Sequence, residues 1–152
     1  MDNLTRRLHS SSLSLRRRVI YLKKYTGFLV VWLTNIALIR LANSLWPNNF
    51  VLGSLTMSAF TGTIFTALAW TTLIWFTEPI LKRFRLNLGK GMQIMLVYLA
   101  ANFVSLWLIS RLGPAIGFGI SGIVWVFSLA FVANIVQYGV WLLLTKFKLA
   151  EM

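Results

Sequence analysis

Four apolar stretches of about twenty residues each dominate this sequence. They cover about residues 27–45, 55–76, 91–112 and 120–144. A helix of about 20 apolar residues matches the ~30 Å hydrocarbon thickness of a bilayer. Because lipid offers the backbone no hydrogen-bond partners, such stretches are expected to form helices that satisfy their own peptide groups. The sequence therefore predicts an all-α integral membrane protein with four transmembrane helices.

The composition leaves no room for a soluble domain beside these helices. Of the 152 residues, 58% are hydrophobic and only 12% are charged, and four crossings use most of that length. We expect a single four-helix membrane domain over residues 25–152, preceded by a basic leader over residues 1–24. Leucines recur in the leader at helical spacing between Arg and Lys, which is typical of an amphipathic helix on an anionic membrane surface. A partly disordered tail and a targeting peptide remain alternatives.

The first half of the chain recurs in the second half at a constant offset of 67 positions. Residues 35–47 (NIALIRLANSLWP) correspond to residues 102–114 (NFVSLWLISRLGP), and each segment opens on Asn and closes on Pro. The same offset pairs Ser54 with Ser121, so the likeness extends past the turn. This pattern predicts two tandem helical hairpins in a parallel pseudo-repeat, related by a pseudo-two-fold axis along the membrane normal.

Basic residues are concentrated on one predicted side of the membrane. The net charge of +12 comes from 15 Lys and Arg against three acidic residues. Thirteen of the fifteen fall in the leader, the central connection and the tail, so the positive-inside rule places both termini in the cytoplasm, in our expectation that of a bacterium. Anionic lipid head groups, rather than nucleic acid, are the expected partners. The candidate lipid contacts are Arg16, Arg17, Arg18, Lys23, Lys24, Lys82, Arg83 and Arg85.

The two remaining basic residues, Arg40 and Arg111, lie towards the opposite face. Arg40 is about five residues, or ~7.5 Å, from the end of the first span, a distance that an Arg side chain can cover by snorkelling. No acidic residue lies in any span to pair with it. We interpret both residues as outer-leaflet anchors, although a charge inside a span is also a candidate functional group.

Polar side chains inside the apolar spans form the candidate functional site: Asn35, Tyr98, Asn102, Asn134 and Gln137. The two asparagines of the repeat fall near the middle of their spans, and helical spacing places Tyr98 with Asn102 and Asn134 with Gln137. Since lipid offers amides no partners, these faces should turn towards each other or a shared interior. They are predicted either to make interhelical hydrogen bonds or to line a substrate site between the repeats.

A row of small residues on the second span predicts a tight helix contact. Ser58, Gly62 and Thr66 recur every four residues, and small side chains let another backbone approach closely. The sequence leaves open whether that contact lies within one chain or between two copies, so a homo-oligomer is a candidate assembly.

Catalytic chemistry is not predicted. The acidic residues are Asp2, Glu78 and Glu151, His9 is the only histidine, and cysteine is absent. These residues offer no carboxylate pair, metal cluster or nucleophile with a base, and no glycine-rich phosphate loop occurs. We therefore expect no enzyme activity, no cofactor and no metal.

The second half of the chain resembles the four-span membrane proteins of the phage-holin superfamily IV type. The resemblance rests on Glu78-Pro79-Ile80-Leu81, the basic Asn-Leu-Gly connection over residues 85–89, the run over residues 98–114 and the glycine turn over residues 117–122. It extends over roughly residues 35–144 and implies a four-span protein with a capacity to self-associate. A second resemblance, to GtrA-like four-span translocases of lipid-linked sugars, rests on length and the paired hairpins.

Three functions remain open at this point. The leading hypothesis is a non-enzymatic, self-associating membrane protein, holin-like in layout, that alters permeability or acts as a scaffold. The main alternative is a small translocator of a lipid-linked or amphipathic cargo along the Asn and Gln side chains. The third is an accessory subunit of a membrane complex.

Overall fold

The computed structural model describes residues 25–84 and 91–147, which are mostly helical. Four of its helices are long and apolar enough to cross a membrane, so this part of the fold prediction is confirmed. In chain order the elements are α1 (Tyr25–Leu45), β1 (Phe50–Leu52), α2 (Ala59–Trp75), α3 (Thr77–Arg83), α4 (Met92–Arg111), α5 (Gly113–Ile116), β2 (Phe118–Ile120) and α6 (Ile123–Lys146). The predicted leader, with Arg16, Arg17, Arg18, Lys23 and Lys24, and also Arg85, lie outside the described residues.

Local signals fix both ends of α2. Ser58 caps its start, where the side-chain hydroxyl accepts a hydrogen bond from the Thr61 backbone N–H at 3.2 Å and satisfies one of the unpaired N–H groups of the first turn. Helix α2 therefore begins at Ala59, somewhat later than the predicted start near residue 55. At the other end, Pro79 has no amide proton to donate one turn back, and α3 follows α2 as a separate short helix.

The two connections at one end of the bundle pair with each other as an antiparallel ribbon. Val51 of β1 lies opposite Gly119 of β2. Beyond the strands, the Gly53 N–H donates to the Gly117 carbonyl at 2.9 Å, and the Ser121 N–H donates to the Asn49 carbonyl at 3.0 Å. Non-helical backbone near a membrane must find internal partners, and here each connection supplies them to the other.

The inward side chains of the ribbon close this end of the bundle. Phe50 and Phe118 are almost completely buried among core residues such as Ile39, Leu106 and Ile109. The Trp125 ring meets Phe50 edge-on, with centroids 5.7 Å apart. The outer helix faces instead expose many large apolar side chains, as a lipid-facing surface should.

The predicted small-residue row makes its close contact within the chain. A Cβ added to Gly62 of α2 would lie only 2.5 Å from the backbone oxygen of Gly117. Gly117 itself ends α5 with a φ of 75°, a left-handed conformation that favours glycine. The connection that contains Gly117 therefore packs directly against α2, and both residues at the point of contact are glycines.

Candidate functional site

Polar side chains from α1, α2, α4 and α6 form a closed circuit of hydrogen bonds in the middle of the bundle, called here the central ring. Asn35 Nδ2 donates to Thr71 Oγ1 at 2.9 Å, and Gln137 Nε2 donates to Asn35 Oδ1 at 2.8 Å. Asn102 Nδ2 donates to Gln137 Oε1 and Trp70 Nε1 donates to Asn102 Oδ1, both at 3.0 Å. Because Trp70 and Thr71 are consecutive on α2, the circuit passes through all four long helices.

Helix geometry explains why these residues can meet. Asn35 lies ten residues from each end of α1, and Asn102 is similarly central in α4. Consecutive residues on a helix point about 100° apart, so Trp70 can face α4 while Thr71 faces α1. Each of the four hydrogen bonds therefore joins a different pair of helices.

The central ring is buried and electrically neutral. Asn35 and Asn102 are fully buried, and Gln137 is only 5% exposed. Every amide oxygen accepts one bond in the ring and every amide nitrogen donates one, which avoids the cost of leaving these groups unpaired in an apolar interior. Amide side chains do not ionise near neutral pH, so the ring is suited to holding helices together rather than to acid–base chemistry.

Two candidate residues lie outside the ring. Asn134 Nδ2 donates to the Met95 carbonyl of α4 at 3.1 Å, a further link between α4 and α6. Tyr98 packs half-buried against the core and takes part in none of the ring bonds. The sequence reasoning named three ring residues and missed Trp70 and Thr71. The signal for Trp70 was the indole N–H, which usually needs a partner when the ring is buried.

The charged candidates lie on the surface of the described structure. Arg40 is exposed, and the guanidinium of Arg111, also exposed, lies 5.4 Å from the ring centre of Trp107, a cation–π distance. On α3, which buries none of its residues, Lys82 forms an ion pair with Glu78 and Arg83 is exposed. Within residues 25–84 and 91–147, no three His, Asp or Glu side chains are grouped so that they could hold a metal ion.

The chain was compared with protein-family models, with curated proteins and with solved structures. None of them matches it.

Proposed function

We propose that this chain is a non-enzymatic, self-associating protein of a bacterial cytoplasmic membrane, with the layout of the phage-holin superfamily IV type, that alters permeability or scaffolds other proteins. The central ring is the observation that supports this function. A polar cargo crossing the bundle would need the amides of Asn35, Asn102 and Gln137, and these are buried and bonded to one another or to α2. In this proposal the apolar outer faces of the helices form the surface that contacts other copies of the chain or other membrane proteins.

The parallel pseudo-repeat is part of this proposal, and two hydrogen bonds of the ring support it. Trp70 donates to Asn102, and Gln137 donates to Asn35. The donors are 67 positions apart in the sequence and so are the acceptors, which is the offset of the repeated segments. The same interaction thus occurs twice, once in each direction between the two hairpins, as a pseudo-two-fold relation requires.

Anionic lipids are the proposed partners at the end of the bundle opposite the ribbon. Ile80 of helix α3 and Phe84, which directly follows the helix, are exposed beside Lys82 and Arg83. Apolar and basic groups together suit a helix end at the head-group level. The positive-inside rule would make this end cytoplasmic, with Arg40 and Arg111 anchored in the outer leaflet.

The mass of the assembly tests the proposed function. The chain has a mass of 17.3 kDa. Its mass is measured first in detergent and then in lipid nanodiscs, and in both we expect a single oligomer of two or more copies. A monomer in both would overturn self-association as the basis of function. If an oligomer forms, ion conductance of the same preparation in planar bilayers separates a permeability function from a scaffold.

A translocator of a lipid-linked or amphipathic cargo is the second candidate, favoured by the fact that polar groups from all four long helices meet in one place. Its test is movement of a fluorescent phospholipid between leaflets of proteoliposomes. Replacing Asn102 by Leu should abolish that movement if the ring lines the route. Replacing Asn134 by Leu serves as the matched control, because within the described part of the chain Asn134 bonds to the α4 backbone and not to the ring. Absence of movement in the unmodified protein would count against this candidate.

A further inference from the structure

The hydroxyl of Thr66 differs from those of the other threonines on α2. Thr63, Thr71 and Thr72 each donate to the carbonyl oxygen four residues earlier, at 2.7 to 2.8 Å. Thr66 is fully buried, and its Oγ1 makes no hydrogen bond to any residue in the described part of the chain. A buried hydroxyl without a partner costs free energy, so this oxygen calls for a partner that is not a described side chain or peptide group.

A second hydroxyl lies on the facing helix at nearly the same level. The Trp70–Asn102 bond fixes the relative height of α2 and α4. From that bond towards the ribbon, Thr66 is four residues from Trp70, ~6 Å along the helix, and Ser105 is three residues from Asn102, ~4.5 Å along the helix. Ser105 is 4% exposed, and its hydroxyl can both donate and accept hydrogen bonds.

The seam between these two residues is bounded at both ends. Gly62, one turn beyond Thr66, packs against the backbone of Gly117, which closely follows α4. Trp70, one turn in the other direction, bonds to Asn102. Thr66 therefore lies on the row of α2 that faces α4. The contacts of Gly62 and Trp70, one turn away in each direction, hold the two sides of the seam together.

We propose that this seam binds a single water molecule between Thr66 and Ser105. Each hydroxyl can donate one hydrogen bond and accept others, and water is a ligand small enough for a buried seam that offers both kinds of group. Asn102 supplies a third partner, because its Nδ2 has a second proton that the ring does not use. Buried waters usually make about three hydrogen bonds of this kind. The site is independent of the proposed function, since it depends only on how α2 packs on α4.

Water-to-methyl magnetisation transfer tests the site directly. The chain is prepared with labelled threonine methyl groups in deuterated lipid nanodiscs. We expect transfer from water to the Thr66 methyl and none to the Thr63 methyl, because the Thr63 hydroxyl is bonded to its own helix. The transfer should disappear in Ser105→Ala. No transfer to Thr66 in the unmodified protein would overturn the proposal.

A second test is whether Thr66→Val raises or lowers the equilibrium constant of unfolding. If Thr66 binds water, Thr66→Val should raise the unfolding equilibrium constant by roughly fivefold. Adding Ser105→Ala should then raise it little further, because both variants lose the same water. If the hydroxyl has no partner, Thr66→Val should instead lower the unfolding constant, and two independent effects would simply add. Either of those results would refute a shared water.

Discussion

Two adjacent threonines on α2 allow one bond of the central ring to be measured against a matched control. The Thr71 hydroxyl donates to the Ala67 carbonyl and accepts from Asn35, whereas the Thr72 hydroxyl donates only to the Leu68 carbonyl. Valine has nearly the shape of threonine but no hydroxyl. Thr71→Val and Thr72→Val therefore both lose a bond to their own helix, and only Thr71→Val also removes the bond to Asn35.

The difference between the two variants can be estimated from the structure. An interhelical hydrogen bond in a membrane protein contributes about 0.6 kcal/mol on average and up to about 1.7 kcal/mol. Asn35 is fully buried, so its Nδ2 gains no water when Thr71 is changed, and the unpaired donor adds to the loss. We expect Thr71→Val to reduce the free energy of unfolding by about 1–2 kcal/mol more than Thr72→Val does.

Reversible unfolding in mixed micelles, with increasing SDS and a spectroscopic measure of helix content, gives both values. The control is the same pair of changes in an Asn35→Ala background, where the difference should vanish because the partner is already gone. Equal costs for the two threonine variants in the unmodified chain would refute the assignment of a stabilising Asn35–Thr71 bond. So would a difference that persists without Asn35.

Two further predictions concern the ribbon end of the bundle and the glycine contact beneath it. Gly62→Ala places a methyl group 2.5 Å from a backbone oxygen and should destabilise the protein by about 1–3 kcal/mol, whereas Gly139→Ala, with open space around its Cβ, should be neutral or stabilise α6 by about 0.5–1 kcal/mol; equal effects in SDS titrations would contradict the close contact. Because the chain has no cysteine, Val51→Cys with Gly119→Cys should form a disulfide readily, as opposed Cα atoms on paired strands are about 4.5–5.5 Å apart. Val51→Cys with Ile120→Cys, shifted by one residue, should oxidise much more slowly in a gel-shift assay, and the reverse order would refute the register.

The long helices were accessible from sequence because their signal is length and apolarity, which do not depend on neighbours. Asn35, Asn102 and Gln137 were identified because an amide in an apolar span has few alternatives to an internal partner. Which partner each amide finds depends on how far each helix is rotated about its axis. Helix rotation is a property of packing, so the link from Asn102 to Trp70 was not predictable from spacing alone.

The features that the sequence did not predict were missed for other reasons. Thr71 was passed over because threonine occurs in membrane helices for its size as well as for its hydroxyl. The strands β1 and β2 are three residues long, too short to show the alternation by which strands are recognised. The row containing Gly62 predicts a close contact, and only the three-dimensional arrangement shows that Gly62 lies against Gly117 of the same chain.

The order in which the hairpins enter the membrane has a consequence for biogenesis that follows from the circuit of the central ring. During synthesis the α1–α2 hairpin is complete before α4 exists, and within it the ring can form only the bond from Asn35 to Thr71. At that stage the indole N–H of Trp70 has no ring acceptor and the side-chain Oδ1 of Asn35 has no ring donor. Asn102 and Gln137 supply these partners once the second hairpin has been synthesised. The half-synthesised protein is thus an intermediate with two unpaired hydrogen-bonding groups in an apolar solvent. Insertion of the second hairpin does not pair these groups by itself, because α4 and α6 must also pack against α1 and α2.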